Sequence, residues 1–181
     1  MSVTKINRFN INIYPQDTIF VLDTNILYYV HSGYVMSTDT KSKSYSNVIQ
    51  TILSNGYSIE ISALNIQELL HIIEKKEYEL YCTVNSKNKA IYTKKIYRQD
   101  SSQRNLLKAK LKTILSELSL YELKDGEINV SELDKFVKDF NVHTMDPIDY
   151  VLINRYDSQK TVFVSDDKDF QSIPSISVLS M

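Results

Sequence analysis

Short apolar runs, each followed by a turn residue or an acid, recur along this chain of 181 residues. Thr18 to Leu22 and Thr161 to Val164 are apolar or β-branched throughout, which is typical of strands that are buried on both faces. Tyr57 to Ser62 alternates between apolar and polar positions, and Ile176 to Leu179 ends the series. The pattern therefore predicts four strands, the first of which begins near Thr18.

Helical periodicity fills the intervals between these strands. Beyond Lys75 the pattern becomes charged and irregular, and Asp125-Gly126 marks a turn. The predicted helices, in chain order, begin near Asn25, span Ser44 to Asn55, begin at Asn65, span Gln103 to Leu120, begin at Ser131 with that serine as the cap, and begin at Asp146-Pro147. Because strands and helices alternate, we expect an α/β fold with a parallel or mostly parallel sheet that helices cover on both faces.

The composition excludes several other classes of protein. Three glycines and three prolines argue against a turn-rich all-β fold and against a disordered chain, and 43% hydrophobic residues are enough for one compact domain. Cys82 is the single cysteine and cannot form an internal disulfide, so we expect it to be a small buried residue in a cytoplasmic protein. We expect no membrane span and no signal peptide, because no apolar run of sufficient length occurs.

The net charge of −1 conceals a basic segment at residues 86–113, which carries nine lysines and arginines but one acid, Asp100. This basic segment has a charge of +8 and the rest of the chain −9. A solvated helix face is the ordinary explanation. Contact with single-stranded RNA is the other, because lysines bind phosphates and tyrosine rings stack on bases. The residues predicted for this contact are Lys94, Lys95, Arg98, Arg104, Tyr92 and Tyr97.

Four acids stand at points where a predicted strand passes into a helix or loop. Asp23 ends the first strand, Asp167 follows the strand at 161–164, and Glu68 and Asp149 lie in the first turns of predicted helices. With short loops, strand carboxyl ends and helix N-termini share one edge of the sheet, so we expect the acids to be neighbours that need a cation. Oxygen ligands without histidine or cysteine suit Mg²⁺ or Mn²⁺ better than zinc.

These acids occur in motifs that resemble those of PIN-domain ribonucleases, a family that includes the VapC-type toxins of toxin–antitoxin pairs. The similar motifs are Leu22-Asp23-Thr24-Asn25-Ile26-Leu27, Gln67-Glu68-Leu69-Leu70, Asp149 and Ser165-Asp166-Asp167-Lys168-Asp169-Phe170. Each motif alone is weak, but four in the same order, with an 18-residue step from Asp149 to Asp167, are specific. The resemblance covers about residues 20–80 and 143–180. It implies one domain over 1–181 in which about 80–140 form a helical, basic insertion.

The resemblance also implies a fold and an activity. The fold is a three-layer α/β/α sandwich around a mostly parallel sheet of four or five strands. The activity is cleavage of single-stranded or structured RNA with Mg²⁺ or Mn²⁺, and a protein antitoxin and a homodimer are conceivable partners. The catalytic, metal-binding acids that the resemblance implies are Asp23, Glu68, Asp149 and Asp167. The supporting residues are Asn25, Ser165, Asp169 and Asp146, where serine at 165 replaces the usual threonine.

Simpler explanations exist for three of these acids. Glu68 follows Asn65 by three residues and Asp149 follows Asp146 by three, as in a helix capping box. Asp146 precedes a proline, so capping is sufficient to explain it. Asp23 has no such explanation, because a carboxylate that ends a buried strand costs stability unless it is paired.

Two other functions remain open. A phosphatase could use Asp23 as its nucleophile, but Asn25 replaces the second acid of the Asp-x-Asp motif of haloacid-dehalogenase-like phosphatases. A PIN-like scaffold could bind RNA or a protein without cleavage, although the complete set of acids argues against it. His31, His71 and His143 show no paired spacing and are predicted to be structural or exposed.

Overall fold

The structure, a computed structural model, describes residues 2–35, 39–124, 129–139, 146–171, 173 and 175–181. Six strands form one sheet in this part of the chain: β1 (Ser2–Lys5), β2 (Ile19–Leu22), β3 (Ser58–Ser62), β4 (Glu122–Lys124), β5 (Thr161–Val164) and β6 (Ser177–Ser180). Their order is β1-β6-β5-β2-β3-β4, and all neighbouring strands are parallel. The predicted α/β fold with a parallel sheet is therefore confirmed.

The sheet has six strands, so the expected number of four or five is wrong. The four strands predicted from the apolar pattern are present as β2, β3, β5 and β6, each within one residue of its predicted ends. The additional strands, β1 and β4, are the edges of the sheet. β4 has three residues, all exposed, and β1 contains one apolar residue, Val3. Neither carries the apolar pattern of a buried strand, which is why sequence periodicity does not reveal them.

Eight α-helices accompany the sheet in the described residues. They are α1 (Thr24–His31), α2 (Thr40–Ser54), α3 (Ala63–Val84), α4 (Lys94–Gln99), α5 (Ser101–Leu118), α6 (Val130–Asp139), α7 (Pro147–Asn154) and α8 (Lys168–Gln171). α3 continues through the charged stretch after Lys75, where the pattern predicted irregular structure. α4 was not predicted, because six residues are too few to show a periodicity.

The start of α6 differs from the prediction in its capping residue. Asn129, rather than Ser131, accepts the N–H of Glu132 at 3.0 Å, and the Glu132 side chain accepts the N–H of Asn129 at 2.9 Å. This reciprocal pair is a capping box, with asparagine in the place of serine. The turn predicted at Asp125-Gly126 lies outside the described residues.

β2 and β5 lie side by side in the interior of the sheet, with Leu22 opposite Val164. On one face they contribute to a buried cluster that consists of Val21, Ile153, Phe163, Phe170, Ile176 and Val178. Phe20 and Leu22 point to the opposite face, because side chains alternate along a strand, and both are completely buried. Burial on both faces fixes these two strand ends, and with them the polar residues that follow.

The chain forms two compact units. Unit 1 comprises Met1–Ile66 with Tyr121–Met181 and contains all six strands, and unit 2 comprises Gln67–Leu120 and contains the basic segment. Unit 2 has its own buried cluster of Tyr78, Cys82, Tyr97 and Leu107, so Cys82 is buried as expected. In the described residues, no helix is both long enough and apolar enough to cross a membrane.

Candidate functional site

Asp23 lies at the junction of β2 and α1, at the carboxyl end of the sheet. Its backbone N–H donates to the carbonyl of Val164 at 3.1 Å and so extends the pairing with β5 by one residue. Its side chain caps α1, because Oδ1 accepts the backbone N–H of Thr24 at 2.6 Å. A partly buried carboxylate therefore follows the buried strand directly.

Two polar side chains bind the other oxygen of Asp23. Asn25 Nδ2 donates to Oδ2 at 2.5 Å, and Ser165 Oγ donates to the same atom at 2.6 Å. Ser165 follows β5 and is completely buried, and its own N–H donates to the carbonyl of Leu179 at 3.1 Å. The orientation of the Asp23 carboxylate is thus determined by donors from two neighbouring strand ends.

The Ser165 hydroxyl also connects Asp23 to Asp167. It accepts the backbone N–H of Asp167 at 2.9 Å while it donates to Asp23. Asp167 Oδ1 in turn accepts the N–H of Asp169 at 2.8 Å, at the start of α8. One buried hydroxyl therefore binds the side chain of Asp23 and the backbone of Asp167.

The end of β3 is tied to the same edge by Asn65, a residue that sequence analysis did not single out for this role. Asn65 is buried, and its Nδ2 donates to Thr24 Oγ1 at 3.0 Å. Asn65 and Ser62 also form a reciprocal pair, because Ser62 Oγ accepts the N–H of Asn65 at 3.1 Å and Asn65 Oδ1 accepts that of Ser62 at 3.3 Å. The capping interaction at this helix start therefore involves Ser62 and Asn65, and it does not explain Glu68.

The other predicted acids lie on helices. Glu68 is exposed in the second turn of α3, not the first, because α3 begins two residues before the predicted start, and it belongs to unit 2. Asp149 is partly buried in the first turn of α7, and Asp146 is exposed just before that helix. Among the described residues, no group of three or more His, Cys, Asp or Glu side chains is arranged to hold a metal ion. The joint site of four acids thus stays a prediction.

The groups beside the Ser165 hydroxyl suit a hard divalent cation of the magnesium type. Asp23 and Asp167 offer carboxylate oxygens, and Asn25 and Ser165 are neutral partners that do not compete with a cation by charge. Mg²⁺ typically binds one or two protein carboxylates and keeps several waters, whereas zinc prefers histidine and cysteine. Two carboxylates are thus donors of the type that Mg²⁺ or Mn²⁺ prefers, and the binding of either ion stays a prediction.

The Asp166 carboxylate has its own set of partners at the same edge. Lys41 Nζ donates to its Oδ2 at 2.7 Å, while Tyr45 and the N–H of Met181 donate to its Oδ1. Burial alone would raise the pKa of Asp166, but the hydrogen bonds from Lys41, Tyr45 and Met181 outweigh it and hold the pKa below its ordinary value. Lys41 and Tyr45 stand four residues apart on α2, a spacing that puts both on one helix face and that could have indicated a shared partner.

The predicted RNA-contact residues all lie in unit 2, but they differ in their availability. Tyr97 is 2% exposed within the buried cluster, so its ring is not available to stack on a base. Arg98 forms a bidentate pair with Glu74, with Nη2 2.5 Å from Oε2, and Arg104 donates to the carbonyl of Arg98 at 3.1 Å. Lys95 is exposed, whereas Lys94 and Tyr92 are partly exposed.

The histidines have no arrangement of a catalytic type in the described residues. His31 lies 2.8 Å from the hydroxyl of Tyr121, a structural contact within unit 1. His71 is exposed on α3. His143 lies outside the described residues.

In sequence, the chain matches no family model and no curated protein. In structure, it is similar to a chain of the crystal structure of VapBC2 from Rickettsia felis bound to a DNA fragment from their promoter. The TM-score is 0.53 at 16% identity, and the alignment covers 91% of this chain and 99% of the other. VapC is a PIN-domain toxin, so the likeness supports the PIN-like fold that the motifs led us to expect.

Proposed function

We propose that this protein is a divalent-metal-dependent endoribonuclease of the PIN type, which cleaves single-stranded or structured RNA. The observation that carries the proposal is the Asp23 carboxylate, which a buried strand delivers to the sheet edge and which Thr24, Asn25 and Ser165 hold. A helix cap needs the contact with Thr24 alone. The contacts with Asn25 and Ser165 indicate that the direction of the carboxylate matters.

Asp23 and Asp167 are the residues that would hold Mg²⁺ or Mn²⁺, and Glu68 and Asp149 are the further acids that the motifs imply. When bound, the metal would lower the pKa of a water and offset negative charge at the scissile phosphate. No covalent nucleophile of the protein is required for hydrolysis of this kind.

The residues around Asp23 act by positioning. Ser165 is completely buried and its proton is donated to Asp23, so it orients the carboxylate and does not attack substrate. Asn25 adds a second donor to the same oxygen and is itself 3.5 Å from Ser165 Oγ. Asn65 aligns the start of α1 with the end of β3 through Thr24. Together these contacts hold the edge rigid before any substrate arrives.

Cleavage of a generic RNA, measured with Mn²⁺ and with EDTA, tests the proposal. We expect cleavage with Mn²⁺, none with EDTA, and none with Asp23→Asn or Asp149→Asn, while circular dichroism shows that both variants are folded. Asp17→Asn is the matched control, because Asp17 is an exposed acid of unit 1 that pairs with Lys160. Full cleavage in EDTA, or by both variants, would contradict a metal-dependent nuclease. RNA binding without cleavage under every condition would instead indicate a scaffold.

The likeness to VapBC2 extends the proposal to the toxin of a toxin–antitoxin pair with a protein antitoxin as its partner. Induced expression in a bacterial host tests this part. We expect the wild-type chain to arrest growth and Asp23→Asn, present at the same level, to permit it. Normal growth with abundant folded wild-type protein would contradict the toxin assignment.

A further inference from the structure

Four tyrosines make ring contacts in an unbroken series beside the candidate site. Tyr34 is stacked near Tyr28, with centroids 6.4 Å apart and an interplanar angle of 19°. Tyr28 meets Tyr29 edge to face at 6.3 Å, and Tyr29 is stacked near Tyr45 at 6.0 Å and 8°. These residues, called the tyrosine series below, lie on α1, just after it, and on α2, all within unit 1.

The tyrosine series is connected to the strand edge through Tyr45 and through Lys41. Tyr45 donates a hydrogen bond to Asp166, the neighbour of Asp167. Lys41 Nζ binds Asp166 and lies over the Tyr29 ring, 5.2 Å from its centroid. Tyr28 and Tyr29 follow Asn25, which binds Asp23, by three and four residues, a spacing that puts them on the same face of α1 as Asn25. The tyrosine series therefore lies beside the group that holds Asp23.

Exposure differs along the tyrosine series. Tyr45 is completely buried, whereas Tyr28, Tyr29 and Tyr34 are each partly exposed. A purely structural cluster gains most when all its rings are buried, because ring burial is its main source of stability. The other three tyrosines of the series instead keep part of their surface in solvent.

The charge of unit 1 determines which kind of RNA contact this surface favours. Unit 1 carries ten lysines and arginines against sixteen acids, and the edge itself presents Asp23, Asp166, Asp167 and Asp169. Lys41 is already paired with Asp166. Such a surface attracts phosphates weakly. It can still bind bases, because stacking on an aromatic ring needs no charge and every base has a flat face.

We infer that the tyrosine series is a stacking surface that holds bases of single-stranded RNA next to Asp23. The inference deepens the proposed function, on which it rests, by assigning a substrate-binding surface to unit 1. Binding at this surface has a weak dependence on salt, since it involves few phosphate contacts. We expect double-stranded RNA not to bind at this surface, because its bases are already stacked on each other.

A single tryptophan tests the inference directly, because the chain has none of its own. In Tyr28→Trp, titration with a short single-stranded RNA in EDTA should quench the indole emission saturably, and the same RNA annealed to its complement should not. The matched control is Tyr14→Trp, since Tyr14 is a partly exposed tyrosine of unit 1. It precedes β2, whereas Asp23 follows β2 at the opposite end of the strand. Absence of quenching in Tyr28→Trp, or equal quenching in both proteins, would overturn the inference.

Affinities in EDTA give a second measurement that does not depend on a new fluorophore. Tyr28→Ala and Tyr34→Ala should each weaken binding between about 5-fold and 150-fold, the range that one base–ring stack provides. Tyr28→Phe should bind as the wild type does, because it keeps the ring. Unchanged affinity in both alanine variants would overturn the inference even if cleavage is intact. Quenching without any cleavage would support the stacking surface and contradict the proposed nuclease activity.

Discussion

The strand edge of unit 1 and the basic segment of unit 2 differ in almost every physical property. At the strand edge, the acids are partly buried, and short hydrogen bonds from Asn25 and Ser165 hold Asp23. In the basic segment, lysines extend from α4 and α5 into solvent, and Arg98 is occupied by Glu74. The first region fixes geometry and the second supplies charge.

This difference separates two requirements of a nuclease. Chemistry on a phosphodiester needs groups placed to within a fraction of an ångström, which a buried sheet edge can provide. Attraction of a polyanion needs only positive potential, which flexible lysines provide at longer range. An acidic site repels a polyanionic substrate, so it gains from a basic surface that raises the local concentration of RNA. We expect the two regions to respond differently to mutation, salt and pH.

The largest expected difference is in turnover at saturating RNA. Asp23→Asn should reduce it at least about 100-fold, because Asp23 is a metal ligand in the proposed mechanism and its loss would remove several kcal/mol of transition-state stabilisation. Lys94→Gln combined with Lys95→Gln should leave it within about 3-fold, because the proposed mechanism uses no group of the basic segment. Single-turnover cleavage with excess protein measures both. A large loss of turnover in the lysine variant, with unchanged affinity, would indicate that unit 2 contributes catalytic groups.

The next largest effect concerns the hydroxyl that joins the two acids. Ser165→Ala removes the donor to Asp23 and the acceptor for the N–H of Asp167, and we expect cleavage to fall about 10- to 100-fold. Ser165→Thr keeps the hydroxyl and should retain most of the activity. Mn²⁺ titration of cleavage should show a weaker apparent affinity for the metal in the alanine variant. Equal activity in all three proteins would mean that the hydroxyl only supports the fold.

The residues that carry these predictions were not equally visible in the sequence. Asp23 was visible because an acid directly after a buried apolar strand has no local explanation. Asn25 and Ser165 were expected only through the family resemblance. The contact of Ser165 with Asp23 depends on the pairing of β2 with β5 across about 140 residues, whereas Asn25 reaches Asp23 from two residues away. The β1 and β4 edges lack an apolar pattern, so periodicity could not reveal them.

Other features depend on contacts that no local pattern encodes. Tyr97 lies among lysines in the sequence, and only the packing of α3, α4 and α5 shows that its ring is buried with Tyr78 and Cys82. The tyrosine series joins residues from α1 and α2 whose spacing along the chain is irregular. A residue that is unusual in its local sequence, such as Asp23, can therefore be identified from the sequence alone. A residue whose role depends on contacts with residues far along the chain cannot.

A smaller effect, on binding, separates the lysines from Arg98. If Lys94 and Lys95 each contact a phosphate, their replacement by glutamine should reduce the slope of log affinity against log salt by about 1.4, at roughly 0.7 per contact for a single strand. Arg98→Gln should change the slope less, because its guanidinium already pairs with Glu74. Filter binding between low and moderate salt measures the slopes. If no slope changes, the basic segment is a solvated helix face.

The smallest expected effect is on stability, and it tests whether hydrogen bonds to a carboxylate fix the strand edge. Burial would raise the pKa of Asp166, but hydrogen bonds from Lys41, Tyr45 and Met181 lower it. The ionised carboxylate therefore stabilises the folded protein at pH values above the ordinary pKa. This stabilisation is lost as the pH falls through the lowered pKa. Tyr45→Phe removes one donor and keeps the ring, so the free energy of unfolding at pH 7 should be about 1–2 kcal/mol lower. Below the ordinary pKa of about 3.8 the difference should shrink as the carboxylate becomes protonated. Tyr57→Phe is the matched control, because the Tyr57 hydroxyl donates to backbone carbonyls, which do not titrate, and its effect in urea unfolding should be the same at pH 7 and pH 3. A Tyr45→Phe effect that is independent of pH would show that the hydroxyl acts through its bond with the N–H of Met181, and not through its bond to Asp166.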